Sequence, residues 1–139
     1  MPAQPPNYIL VVEDDGEIRR LIAKILTCSG YAVDTAEDGA VAWDSLQVND
    51  YDLLVTDHNM PKVSGVELLQ KLHVAHKVIC VIMVSGAIPT SELDSHPWLK
   101  IGATLLKPFT PEQLLAVVKN VMPAMDGASG ECQRENIPV

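Results

Sequence analysis

Short runs of continuous apolar residues alternate along this chain with stretches whose apolar positions recur at helical spacing. Tyr8-Ile9-Leu10-Val11-Val12 is rich in β-branched residues and bounded by acids, the pattern of a strand buried on both faces. Ile18, Leu21, Ile22, Ile25 and Leu26 then fall on one helical face, with Asp15 placed to cap that helix and Gly30 to stop it. Ala32 to Ala36 predicts a weaker strand, Gly39 to Leu46 a short helix and Leu53 to Thr56 a third strand. The next helix opens on a capping box, Ser64 with Glu67, and is expected to run to about His76. Val78 to Val84 predicts a fourth strand and Leu105-Leu106 marks a fifth. A second capping box, Thr110 with Gln113, opens the last helix, with Pro111 at the favoured first position. Pro89 and Pro97 leave room for only a short fourth helix between residues 90 and 102.

Five strands, each followed by a helix, predict an α/β fold: one parallel sheet with helices on both faces. The 139 residues suit a single domain. Residues 1–7 are read as a flexible N-terminal segment, 8–122 as the domain, and 123–139, beginning with Pro123, as a disordered tail without periodicity.

Composition narrows the function classes. At 47% apolar and 20% charged, the chain can bury a core, which excludes global disorder. The formal charge of −8 is uneven: residues 1–57 hold eleven acids against three bases, residues 58–122 four against six. With no Lys/Arg cluster to release counterions, the chain is a poor ligand for nucleic acid or for an anionic membrane surface. The N-terminus lacks a signal peptide's basic and apolar regions, and the longest apolar run, Val78 to Val84, is far shorter than a membrane span. Cys28, Cys80 and Cys132 show no metal-binding or disulfide spacing; Cys28 and Cys80 fall in apolar patterns and are expected to be core thiols. A cytoplasmic location is expected.

Parallel α/β sheets bind ligands at the carboxyl ends of their strands, so the polar residues there carry the most information. Strand 1 ends in Glu13-Asp14-Asp15, strand 3 in Asp57, strand 4 in Ser85 and strand 5 in Lys107. Acids converging on one rim repel unless a cation lies among them, and an oxygen donor set with positions left for water and phosphate suits Mg²⁺. His73 and His76 stand one helical turn apart but have no evident third ligand and are read as solvated; His58 is read as a loop residue, Trp43 and Trp98 as packing residues.

At this point the sequence resembles the receiver domain of two-component response regulators, of the stand-alone chemotaxis type. The matching pieces are Ile9 to Asp15, Asp52 to Pro61 with Ser64-Gly65, Val84-Ser85-Gly86 and Lys107-Pro108-Phe109, in the family's order and over about residues 8–122. The resemblance implies a flavodoxin-like three-layer sandwich, a (βα)5 chain with strand order 2-1-3-4-5. It implies that Asp57 accepts a phosphoryl group from a phosphohistidine on a sensor histidine kinase or histidine phosphotransfer protein, and that a downstream protein partner reads the result. Asp14 and Asp57 would hold Mg²⁺ directly, Asn59 through its backbone carbonyl, and Glu13, where the family most often has aspartate, through a bound water. Lys107 would pair with the phosphoryl oxygens and Ser85 would move to hydrogen-bond one of them. Arg19, Arg20 and Lys24 lie on helix 1, where the family meets its phosphodonor. The domain would not be an enzyme beyond assisting its own phosphorylation and dephosphorylation.

The sequence departs from the family at Thr104, where an aromatic residue commonly swings inward, and in its shortened fourth helix. These departures keep open a phosphorylation-independent pseudo-receiver, an interaction module alone. An aspartyl phosphatase is disfavoured because Asn59 stands where that chemistry needs a second Asp. No basic recognition helix or catalytic module follows the matching stretch, so a receiver acting alone through protein contacts is expected, a piece of a longer protein being the alternative.

Overall fold

The computed structural model describes residues 7–58, 60, 62–77, 79–87, 90–95 and 101–122. Strands β1 (Tyr8–Val12), β2 (Ala32–Ala36), β3 (Leu53–Thr56), β4 (Cys80–Ser85) and β5 (Ala103–Leu106) form one parallel sheet of order β2-β1-β3-β4-β5. Helices α1 (Gly16–Cys28), α2 (Gly39–Val48), α3 (Gly65–Val74), α4 (Thr90–Ser95) and α5 (Pro111–Val121) follow the strands in turn. The expected tail after Pro123 and the expected flexible start, save Asn7, lie outside the described residues.

Because side chains alternate across a strand, each central strand feeds two cores. Ile9, Val11, Leu53, Val55, Ile82 and Val84 pack with Ile22 and Leu26 of α1 and Leu114 and Val118 of α5. Leu10, Val12, Leu54 and Met83 pack on the other side with Ala42 and Leu46 of α2 and with Val66, Leu69 and Leu72 of α3. This two-sided burial explains why the strands read as continuous apolar runs rather than as alternating ones. At the end of the sheet away from the strands' carboxyl termini, the Tyr8 and Tyr51 phenols both donate to Asp34 Oδ2, the latter at 2.7 Å.

Both capping boxes form, and Asp15 caps α1 through the N–H groups of Glu17 and Ile18. Gly30, at φ 99°, closes α1: its N–H donates to Thr27 O and that of Tyr31 to Leu26 O, a Schellman ending. Helix α3 ends the same way, at Val74 rather than near His76. His76 takes the left-handed position (φ 58°), donating to His73 O while Lys77 donates to Leu72 O. A histidine where glycine is usual gives no stop signal in the sequence. Helix α2 runs to Val48, two residues beyond its expected end; β4 begins at Cys80, two residues later than expected; β5 begins at Ala103, two residues before the Leu105-Leu106 marker. Cys28 is exposed, not a core thiol, because the last turn of α1 rotates it off the face that carries Ile22 and Leu26. Cys80 is partly buried, its thiol 3.8 Å from Val121 O.

Candidate functional site

Register decides which strand ends meet. Val12 stands opposite Ala36 on one side and Thr56 on the other, so Glu13 and Asp57, each one residue further, emerge on the same rim. The backbone continues the ladder there: Glu13 N–H donates to Ala36 O (3.1 Å) and Asp57 N–H to Val12 O (3.1 Å). Ser85 pairs with Leu106, and Lys107 N–H donates to Ser85 O (3.0 Å), which brings Lys107 to the rim from the sheet's edge. The Lys107–Pro108 peptide is cis.

From β5 the Lys107 side chain reaches across β4 to both acids. Its Nζ lies 2.8 Å from Glu13 Oε1 and 3.0 Å from Asp57 Oδ2. Both carboxylates are buried, whereas Asp14 is exposed. Glu13 Oε2 accepts from Asp15 N–H (3.2 Å), while the buried Oε1 has no hydrogen-bond partner beyond its ion pair with Lys107. Burial pushes the Glu13 carboxyl up to about 7, against the opposing pull of Lys107 and the Asp15 N–H, with the nearby Asp57 charge adding to the rise. Burial alone would lower the Lys107 ammonium, but the Glu13 and Asp57 carboxylates hold it above the ordinary lysine value.

Carboxylate oxygens of Glu13, Asp14 and Asp57 lie within 4.8 Å of one another, the one group of three or more acids, histidines or cysteines with metal-binding spacing among the described residues. Three hard oxygen donors, one of them buried and under-satisfied, fit a small divalent cation. Ser85 is buried at the end of β4, and its hydroxyl accepts from Ala87 N–H (3.4 Å). Asn59, expected to offer its carbonyl, lies outside the described residues, as does Trp98. Trp43 packs against the α2–α3 core with Lys71 Nζ 5.6 Å from its ring centre, and His73 and His76 are exposed.

Glycine keeps the loop after Asp57 close to α3. Gly65 N–H donates to His58 O (3.0 Å), and a Cβ at Gly65 would stand 2.6 Å from Asp57 O. Sequence reasoning did not find this constraint; the glycine directly after the cap residue Ser64 is its only trace in the sequence.

The family model of the response regulator receiver domain matches residues 9–119. The chain belongs to this family. Among curated relatives of this receiver, the transcriptional regulatory protein CpxR of Escherichia coli K12 is 35% identical over 118 residues, 84% of this chain and 49% of CpxR. The chain thus spans about half the length of that relative. A chemotaxis protein CheY homolog of Campylobacter jejuni is 36% identical over 118 residues, covering 82% of this chain and 91% of its own length. Among solved structures, a CheY-like receiver domain protein of Methanospirillum hungatei superposes with a TM-score of 0.80 at 26% identity, covering 88% of this chain and 98% of that one. The response regulator TrrA of Thermotoga maritima, solved in complex with Mg²⁺-BeF, gives 0.71 at 31% identity, covering 83% and 98%. The receiver's sheet order, β2-β1-β3-β4-β5, is the one the resemblance implied. No helix among the described residues is long and apolar enough to cross a membrane.

Proposed function

We propose that this receiver takes a phosphoryl group from a phosphohistidine donor onto Asp57, in a Mg²⁺-dependent reaction, and passes the signal to a protein partner in the cytoplasm. The observation that carries this reading is the Lys107 ammonium held between Glu13 and Asp57 inside a cluster of three carboxylates. An Asp57 carboxylate oxygen forms the new bond to phosphorus as the donor's P–N bond breaks, and the departing imidazole keeps the electron pair. Lys107, already 3.0 Å from Asp57, stays to meet the added negative charge. Glu13, Asp14 and Asp57 would hold Mg²⁺, which supplies charge neutralisation for the approaching phosphoryl oxygens. Ser85 stands at the neighbouring strand end, where its hydroxyl oxygen accepts from the Ala87 N–H and its O–H can be donated to a phosphoryl oxygen. The protein turns over no substrate beyond loading and unloading its own Asp57; a sensor histidine kinase or histidine phosphotransfer protein is the donor.

A specific observation keeps a second reading. Thr104 is exposed on β5 in place of a switching aromatic, and six residues of α4 are described. Both features belong to the readout side and leave Glu13, Asp14, Asp57 and Lys107 together, so they favour an altered readout over lost phosphorylation. Incubation with acetyl phosphate and Mg²⁺ followed by intact-mass analysis is expected to give one phosphoryl adduct, absent in Asp57→Asn. If the unmodified protein forms no adduct and binds no Mg²⁺, the phosphorylation-independent interaction module is the correct reading.

A further inference from the structure

We propose that Arg19 is a positioning residue for the metal-binding carboxylates, an inference that rests on the acceptor reading above. Glu13 follows the last residue of β1, so its backbone is the hinge from which Glu13 and Asp14 are presented. Its N–H is fixed by Ala36 O on β2, and its carbonyl accepts from Arg19 Nη1 at 2.9 Å. The Arg19 backbone N–H donates to Asp15 O at 2.8 Å. The far end of the Glu13–Asp15 turn is thus held by the first backbone bond of α1, which any residue but proline would make there, and the near end by the Arg19 guanidinium alone.

A Cβ at Gly16 would stand 3.5 Å from Arg19 Nη2, ordinary van der Waals contact, and 3.1 Å from Arg20 Nη1, so the Arg19 clamp tolerates a side chain there once the Arg20 tip swings aside. Arg20, its neighbour, is exposed, whereas Arg19 is half-buried against the turn. A planar guanidinium suits the task, since its rigid fork presents a charged donor to the carbonyl at a fixed angle.

The sign of one measurement separates positioning from charge. By Coulomb's law alone, a cation beside three carboxylates weakens binding of a second cation, so deleting Arg19 would tighten Mg²⁺ binding. A clamp predicts the reverse. Losing a residue that orients metal ligands typically costs about 10- to 100-fold in metal affinity. The full chain, its Arg19→Met variant and its Arg19→Lys variant are titrated with MgCl2 by calorimetry, and adduct formation from acetyl phosphate is timed in parallel. Arg19→Met is expected to bind Mg²⁺ about 10-fold more weakly and to form adduct correspondingly more slowly at sub-saturating Mg²⁺. Arg19→Lys, which keeps the charge and a donor on a shorter reach, is expected to recover part of the loss. Should Arg19→Met fail to fold, a weakened Mg²⁺ affinity in Arg19→Lys carries the test. Unchanged or tighter binding in the folded variants overturns the positioning role and leaves the acceptor reading intact. A wild-type chain that binds no Mg²⁺ and forms no adduct overturns both.

Discussion

Replacing Gly65 with alanine places a methyl group 2.6 Å from the Asp57 carbonyl oxygen and 2.8 Å from His58 Cα. Ordinary van der Waals contact begins near 3.4 Å, so the Asp57–His58 backbone and the start of α3 must move apart by about 0.6–0.8 Å. Neither is the tip of a flexible side chain. The retreat falls on the strand end that carries the acceptor carboxylate and on the Gly65 N–H bond to His58 O. Overpacking of this kind costs about 1–3 kcal/mol, offset by up to about 1 kcal/mol from alanine's helix propensity. A net loss of about 1–2 kcal/mol lowers Tm by roughly 3–8 °C in a domain of this size. The effect on chemistry is larger, since displacing a reacting group by about 1 Å can cost about 100-fold in rate. Thermal melts and the time course of adduct formation from acetyl phosphate at saturating Mg²⁺ read the two effects separately. Gly16→Ala is the matched control. It also sits at the first position of a helix behind a capping residue, but its Cβ would meet only guanidinium tips that can swing aside. Gly16→Ala should melt at or slightly above the wild-type temperature. A Gly65→Ala protein that melts like Gly16→Ala and phosphorylates at the wild-type rate would refute the reasoning.

Two further outcomes follow from the same geometry. Glu13 titrates near 7 in the folded protein against an ordinary 4.5, so the fold favours its protonated form. The stability that this protonation contributes is complete below pH 4.5 and lost as pH rises through 7. Metal-free protein should therefore show a fall in Tm across that range that Glu13→Gln removes, while Mg²⁺ affinity rises over the same interval; flat melting temperatures in both proteins count against a raised Glu13. His76→Gly relieves a left-handed residue at the end of α3 and should add about 1 kcal/mol of stability in a denaturant titration without changing adduct formation; a destabilised variant would mean that the His76 side chain contributes more than its backbone costs.

The sequence carried the local physics of this protein. Apolar runs, helical spacing and cap chemistry act over a few residues, so Asp15, Ser64, Thr110 and Gly30 announced their helix ends and the structure places them there. Polar residues ending apolar strands also named the rim that the sheet assembles. Where a local signal was missing or misleading, the reading slipped: His76 ends α3 without the usual glycine, and Cys28 continues an apolar pattern yet faces out.

The distances and burial within that rim were decided by the tertiary structure. Lys107 meets Asp57 fifty positions away because the sheet order sets β5 one strand beyond β4, within reach of a lysine but of few shorter side chains. The raised Glu13 carboxyl arises from burial that no window of sequence displays. Arg19 read as part of a basic helix face until the turn brought its guanidinium back onto the Glu13 carbonyl. Propensity and periodicity are properties of neighbouring residues, whereas desolvation, charge pairing and close backbone approach depend on register. The chain sets that register only once all five strands have packed.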